Sequence, residues 1–361
     1  MSWHKTSGVS IAGIASAVPE NVITAEGYAE RFGEDVVNKF VKSTGITAAF
    51  QSIPEQTTSD LGYEAANYLL NKLRIDRSRI GVLVFASNTA DYMFPATAGV
   101  IQSRLGLSMD VTAFDIRLGC TAFVYGQHVV ESLMMTSGAE YGLLVCGDTT
   151  SKVIGENDHS VMMFGDAASA VLFGRQEGLE QITLLGTDGN RFGSLIFPAG
   201  GFRDREASRE KVLCSDGVLR SKYEQYMDGM GVMIFAVGDV MNAMVEYLDA
   251  MGKSASDYDK VVLHQANGFI LNRLIKKMKL EPDKVPISLS RYGNTSGASI
   301  PLTLCDCYGA VENGSRSILA SGFGVGLSWG VTSFDIDTAS ILPIIHTDKY
   351  FKEGRIDLSQ L

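Results

Sequence analysis

Short, almost wholly apolar runs recur along this chain and constrain its fold more than any other feature. "IGVLVFAS" (80–87), "GLLVCGD" (142–148), "SAVLFG" (169–174), "KVVLHQAN" (260–267), "RSILASGF" (316–323) and "SWGVTSFDI" (328–336) each have the length of a strand. A strand that lacks polar alternate positions is one buried on both faces, and that requires helices on both sides of its sheet. Helical patterns lie between the runs, as in "TSDLGYEAANYLLNKLRI" (58–75) and "AVGDVMNAMVEYLDAMG" (236–252). The expected class is α/β, with helices covering a largely buried sheet.

The runs also echo one another. "VLVFASN" (82–88) resembles "VVLHQAN" (261–267), and "LLVCGDT" (143–149) resembles "ILASGFG" (318–324). The offsets are 179 residues for the first pair and 175 for the second, which points to a duplicated half. We expect an N-terminal half over 1–175 and a C-terminal half over 176–361. No low-complexity linker separates them, so they should pack together. The charged stretch 202–225 and the tail 338–361 read as additions to this core.

With 361 residues, 45% of them hydrophobic and 20% charged, the chain has an ordinary globular composition. No uninterrupted apolar run of about 18 residues is present, so no membrane span is expected. The N-terminal residues lack a long apolar core of the signal-peptide type, and a cytoplasmic location is the expectation. A net charge of −10 argues against general nucleic-acid binding, which needs clustered Lys and Arg. The run "RLIKKMKL" (273–280) is a local basic patch suited to a small anionic partner. Five cysteines form no CxxC pair and five histidines no HExxH pair, so no metal site is expected.

Four short motifs carry chemistry. Cys120 lies between the strand-like "VTAFDI" and a helical segment that ends near Gly138. A thiol at a helix N-terminus meets free N–H groups and the positive end of the dipole, which should lower its pKa toward thiolate. The same N–H groups can receive an oxyanion. By residue type alone an inert buried cysteine is the commoner case, and Cys146 fits it better than Cys120 does. His264 follows the strand-like "KVVL", where α/β folds build sites, though a structural histidine accounts for it equally well. Asn294 sits in a Gly-rich turn before a helix, a setting that everyday capping also explains. The loop "SGFGVGLSWG" (321–330) has glycines for close backbone approach, but no Walker or dinucleotide pattern follows it.

Taken together, "GCTAF" with Cys120, "HQAN" with His264, "YGNTSGAS" with Asn294, "GFGVGLSWG" and "FGDAASAVLFG" (164–174) occur in one chain order. In these motifs the chain resembles the β-ketoacyl-acyl carrier protein synthase III family of the thiolase superfamily, from about residue 8 to about 336. The resemblance implies a thiolase-like fold, duplicated βαβαβαββ halves in a five-layer αβαβα arrangement. It implies an acyltransferase with a Cys120–His264–Asn294 triad and an oxyanion hole from the backbone N–H groups of Cys120 and Val325. Acyl-coenzyme A and acyl carrier protein thioesters would be substrates, with no bound cofactor. It implies a homodimer in which Phe94, in "FPATAGVIQ", shapes the partner's acyl pocket.

Several positions depart from the family's fatty-acid-initiating members. Lys39 and Ser43 stand where a Trp and an Arg usually sandwich the adenine of coenzyme A. Gly268 and Phe269 replace a Leu-Arg pair at the carrier-protein entrance, where Lys276 and Lys277 are candidate docking residues. Val325 stands where Gly is common, Arg117 is unusual, and Ala167 and Ser169 replace glycines. These departures point to a specialised member rather than an acetyl-coenzyme A primer. Alternatives are acyl transfer to an amine or hydroxyl without decarboxylation, a Cys120–His264 hydrolase, and a non-catalytic dimer partner.

Overall fold

The computed structural model describes residues 1–361 except 156, 310, 312, 313, 358, 360 and 361. Nine strands form the main sheet system: β1 (Ser2–Pro19), β2 (Ile80–Ala86), β3 (Thr112–Ile116), β4 (Tyr141–Asp148), β5 (Ala167–Thr187), β6 (Lys260–Leu263), β7 (Ser315–Gly324), β8 (Ser328–Asp337) and β9 (Ile345–Thr347). Their hydrogen-bonded order is β6-β7-β8-β5-β4-β2-β3, with β1 beside β5 and β9 beside β1. The principal helices are α1 (Glu34–Thr44), α2 (Thr58–Lys72), α3 (Thr97–Leu105), α4 (Ala122–Thr136), α5 (Gly229–Met251), α6 (Gly268–Met278) and α7 (Ser299–Tyr308).

The apolar runs are explained by what each strand faces. Successive side chains of a strand point to opposite faces. Leu83 and Phe85 of β2 pack with Leu143 and Val145 against Leu61, Leu69 and Ile101 of α2 and α3. Their alternates Val82, Val84 and Leu144 face Phe123, Val130 and Ile300 of α4 and α7. Val262, Ile318 and Ala320 approach the same two helices from the other side. Val261, Leu263 and Leu319 instead face Met244 of α5 and Leu271 and Leu274 of α6. The result is five layers, helices alternating with sheet, with strand faces that are mostly apolar and a few paired hydroxyls such as Ser16 and Ser169 between them.

Two long strands tie the layers. The first part of β5 pairs with β4, from Ala167 to Gly174. Its last residues, Thr183–Thr187, pair with β8. β1 runs antiparallel to both parts, with register shifts after Ser7 and after Ile11. The expected boundary near residue 175 falls inside β5, which is continuous from Ala167 to Thr187.

Some local expectations differ from the structure. The strand of "KVVLHQAN" stops at Leu263, because Asn267 turns the chain as an N-cap, accepting from the Ile270 N–H at 2.9 Å. α5 starts seven residues before the expected position 236, capped by Asp228, whose carboxylate accepts from the Gly231 N–H. By length and mean hydropathy (1.4) α5 could cross a membrane. Its inward residues Phe235, Val240 and Met244 are fully buried, as core packing of a helix demands.

The stretch 202–225 is largely exposed, yet it is fastened at several points, among them the Gln225 N–H donating to the Val153 carbonyl at 3.2 Å. Arg220, 5% exposed, pairs with Asp158 at 2.6 Å and Asp216 at 2.7 Å. In the tail, β9 adds a parallel strand to β1. Beyond it the Phe351 N–H donates to Asp60 at 2.8 Å, and the Tyr92 hydroxyl donates to the Gly354 carbonyl at 2.6 Å.

Candidate active site

The sequence-predicted residues converge at the ends of strands. Cys120 lies in the turn between β3 and α4, with Thr121 at the N-cap position. His264 directly follows β6, and Val325 sits in the tight connection of the β7–β8 hairpin. Asn294 is reached by a separate loop, which the backbone clamps to residues 163–165. The Asn294 N–H donates to the Met163 carbonyl at 2.8 Å, and the Gly165 N–H donates to the Asn294 carbonyl at 3.1 Å. Cys120, His264 and Asn294 are 8%, 1% and 5% exposed.

Each side chain is held by named partners. His264 Nδ1 is 2.7 Å from the Ser299 hydroxyl, and its ring lies edge-on to Phe323 with centroids 5.3 Å apart. Asn294 Nδ2 donates to the Ala266 carbonyl at 3.3 Å, while Oδ1 accepts from the Ser296 N–H at 2.9 Å. This fixes the amide and leaves its second N–H hydrogen for a ligand. Gln265 accepts from the N–H groups of Ser288 and Leu289, so it braces the loop behind the site.

Burial governs the electrostatics. It pushes the His264 imidazole down to about 3, against a smaller opposing effect of the Ser296 backbone, so the ring is neutral at physiological pH. The thiol of Cys120 corrects an expectation. Burial raises it to about 11, with the Asp148 carboxylate adding to the rise. The Ser296 side chain and the backbone N–H groups of Val325 and Cys120 work the other way and are outweighed. Position at a helix N-terminus was legible in the sequence, but loss of solvent is the larger effect here.

Two side chains that the sequence reading did not single out complete the site. Ser296 Oγ lies 3.9 Å from Cys120 Sγ and 2.5 Å from Asp148 Oδ2. Asp148 ends β4 and is 2% exposed. Its other oxygen accepts from the Ser87 hydroxyl, from the N–H groups of Asn88 and Thr89, and from the Thr89 hydroxyl, at 2.7–3.1 Å. Ser296 stands inside "GNTSGAS", but spacing cannot show which way its hydroxyl points. Two glycines make room around the thiol. A Cβ on Gly119 would meet Asn88 Nδ2 at 2.5 Å and Ser296 Oγ at 2.9 Å, and one on Gly324 would meet Cys120 Sγ at 2.8 Å.

The rim is different in character. Phe94 is 80% exposed and does not enter the site of its own chain. Lys276 and Lys277 lie exposed on the last turn of α6. Lys39, Ser43 and Arg117 are exposed as well. Arg273 stacks on Phe269, with its guanidinium 4.5 Å from the ring centroid. Among the described residues, no group of three or more His, Cys, Asp or Glu side chains is placed to hold a metal ion.

Comparison with known proteins matches two family models. Residues 114–189 match 3-oxoacyl-[acyl-carrier-protein (ACP)] synthase III, and residues 248–336 match its C-terminal model. A β-ketoacyl-[acyl-carrier-protein] synthase III of Caldanaerobacter subterraneus subsp. tengcongensis is 34% identical over 324 residues, covering 88% of this chain and 95% of the relative. Among solved structures, the 3-oxoacyl-(acyl-carrier protein) synthase of Burkholderia xenovorans LB400 superposes with a TM-score of 0.91 at 32% identity, over 96% of this chain and 99% of that one. The priming β-ketosynthase of the R1128 polyketide biosynthetic pathway superposes at 0.79 with 25% identity, over 94% and 97% of the two chains.

Proposed function

Because the chain belongs to the 3-oxoacyl-[acyl-carrier-protein] synthase III family and shares its thiolase-like fold, we propose that it joins two acyl thioesters by decarboxylative Claisen condensation. Cys120 takes an acyl group from a coenzyme A or carrier-protein thioester. The new C–S bond holds the acyl group while the donor's thiolate departs. A malonyl group on acyl carrier protein then loses CO₂. The electron pair of the broken C–C bond passes to the thioester as an enolate, stabilised by N–H donors from His264 and Asn294. The enolate carbon attacks the Cys120 acyl carbon. The oxyanion formed there is received by the backbone N–H groups of Cys120 and Val325, and the C–S bond to Cys120 breaks as the β-ketoacyl thioester forms.

The observation that carries this reading is the buried convergence of Cys120, His264 and Asn294 on Ser296 and the β7–β8 turn. A neutral imidazole suits His264 as a donor. When the Ser299 hydroxyl donates to Nδ1, the ring proton sits on Nε2, the tautomer this role requires. Val325 in place of Gly keeps its N–H.

The substrate is a specialised acyl donor rather than acetyl-coenzyme A. Supporting this, the exposed Lys39 and Ser43 supply no aromatic–guanidinium clamp for adenine, and Phe269 removes a cation at the entrance. Arg273, Lys276 and Lys277 leave α6 with its own basic face for an acidic carrier. Phe94, exposed on each copy, suits a homodimer in which it closes the partner's acyl pocket. The same acyl-enzyme could pass its acyl group to an amine or hydroxyl. Incubation with a panel of coenzyme A and carrier-protein donors, read by intact mass with Cys120→Ala as control, identifies the donor. Release of CO₂ from malonyl-acyl carrier protein separates condensation from acyl transfer to another acceptor. No Cys120-dependent adduct with any donor would overturn the proposal.

A further inference from the structure

The contacts of Asp148 are more extensive than a structural carboxylate at a strand end needs. The group is fully enclosed, no Lys or Arg pairs with it among the described residues, and its one outward contact is Ser296. Ser296 bridges it to the nucleophile, at 2.5 Å on one side and 3.9 Å on the other. Ser296 holds this place in a left-handed backbone conformation, φ 49°, which a serine adopts at a cost. Gly119 is without a side chain where Ser296, Asp148 and Asn88 converge. A strained residue, a glycine gap and a saturated buried acid thus serve one line of atoms that ends on Cys120 Sγ.

A serine hydroxyl has one proton and two lone pairs. When Ser296 donates to an ionised Asp148, it can only accept from the Cys120 thiol. When Asp148 is protonated and donates to Ser296, the serine proton is free to point at a Cys120 thiolate. The two arrangements differ by a concerted shift of two protons and carry the same single negative charge.

We propose that Asp148, acting through Ser296, is the proton store for Cys120. As Cys120 attacks, its S–H bond breaks and the proton passes to Ser296 Oγ. The Ser296 proton passes to Asp148 Oδ2, and the Cys120 sulfur forms its bond to carbon. The departing thiolate of the donor takes a proton from solvent. In the condensation step the C–S bond to Cys120 breaks, and the stored proton returns from Asp148 through Ser296 to Sγ. The cycle closes with no net change at the site. Loss of the thiol proton to solvent would leave a buried thiolate beside a second negative charge, and burial first, Asp148 second, resist that route. Transfer to Asp148 adds no second charge. In this scheme Ser296 is a catalytic residue, since it exchanges a proton with the reacting sulfur, and Asp148 acts through it.

The inference rests on Cys120 as the nucleophile, but its test needs no acyl donor, so failure of the two can be told apart. Alkylation by iodoacetamide converts Cys120 to a thioether and expels iodide. The thiol proton must go somewhere, and a pH-stat near pH 7 counts it. Cys120→Ala subtracts the partly exposed Cys214 and Cys307. In the wild type the proton stays on buried Asp148, and far less than about one proton per alkylated Cys120 should appear. In Asp148→Asn, and independently in Ser296→Ala should the first variant fold poorly, about one proton per site should appear. The alkylation rate at pH 7 should fall by about 10²-fold. A purely structural role would alter stability without moving the proton count. Release of about one proton per site by the wild type, or no alkylation of its Cys120, overturns the proposal.

Discussion

Cys120 and Cys146 are both buried thiols close to Asp148, yet they sit in unlike surroundings. Cys146 lies within β4, paired with Ser169 of β5 and packed among Val84, Leu144 and Val171. Burial and Asp148 both push its thiol up, and no contact opposes them. Cys120 is raised less, because a serine hydroxyl and two backbone N–H groups face its sulfur. Burial by itself therefore does not make a site. What separates the two is the presence of donors that can follow a change of charge.

The sharpest test of the contrast is substitution of each thiol. Cys120→Ala should abolish the acyl adduct, a loss of at least about 10³-fold. Cys146→Ala should keep adduct formation within about a factor of two and lower stability by about 1–2 kcal/mol through the cavity it leaves. Intact mass and denaturant midpoints read both, and an adduct retained in Cys120→Ala would erase the distinction.

Donors around the sulfur should be separable from donors for the second substrate. His264→Ala and Asn294→Asp should leave acylation of Cys120 intact, while lowering CO₂ release from malonyl-acyl carrier protein by about 10²–10³-fold. Normal condensation in either variant would remove that residue from the chemistry.

A smaller effect concerns pH. His264 is neutral when folded down to about pH 3, whereas an unfolded histidine binds a proton below its ordinary value of 6.5. Its contribution to stability is therefore complete above about pH 6.5 and falls as pH drops from there toward 3, by at most about 1.4 kcal/mol per pH unit. Urea midpoints at pH 7 and pH 5 should converge in His264→Gln relative to the wild type. Condensation should show no inflection from His264 near pH 6.5. The smallest effect is expected on the rim. Lys276→Glu with Lys277→Glu should raise KM for a carrier-protein donor several-fold at low salt and little at high salt, because exposed charges are screened.

The contrast also accounts for what could be read from the sequence. Strand cores were legible because both faces are apolar, and Cys120, His264 and Asn294 stood out in short motifs in one chain order. The direction of the thiol shift was not legible, since the helix start is local and burial depends on strands far apart in sequence. Asp148 looked like the end of a strand, and only the fold brings Ser296 to it across 148 residues. The run 260–267 is apolar enough to read as one strand, but the strand ends at Leu263 and Asn267 caps the helix that follows. The first turns of α5 lie before the helical pattern read over 236–252, and Asp228 caps them by accepting from the Gly231 N–H.

The pairing of β9 with β1 has a consequence for the order in which the molecule can be made. Ala17, Val18 and Pro19 lie beside Ile345, His346 and Thr347. The other edge of β1 belongs to β5. β1 leaves the ribosome well before either partner exists, with an apolar face and unpaired edges, a state prone to association with other chains. Assembly of the whole sheet system waits for translation to pass β9.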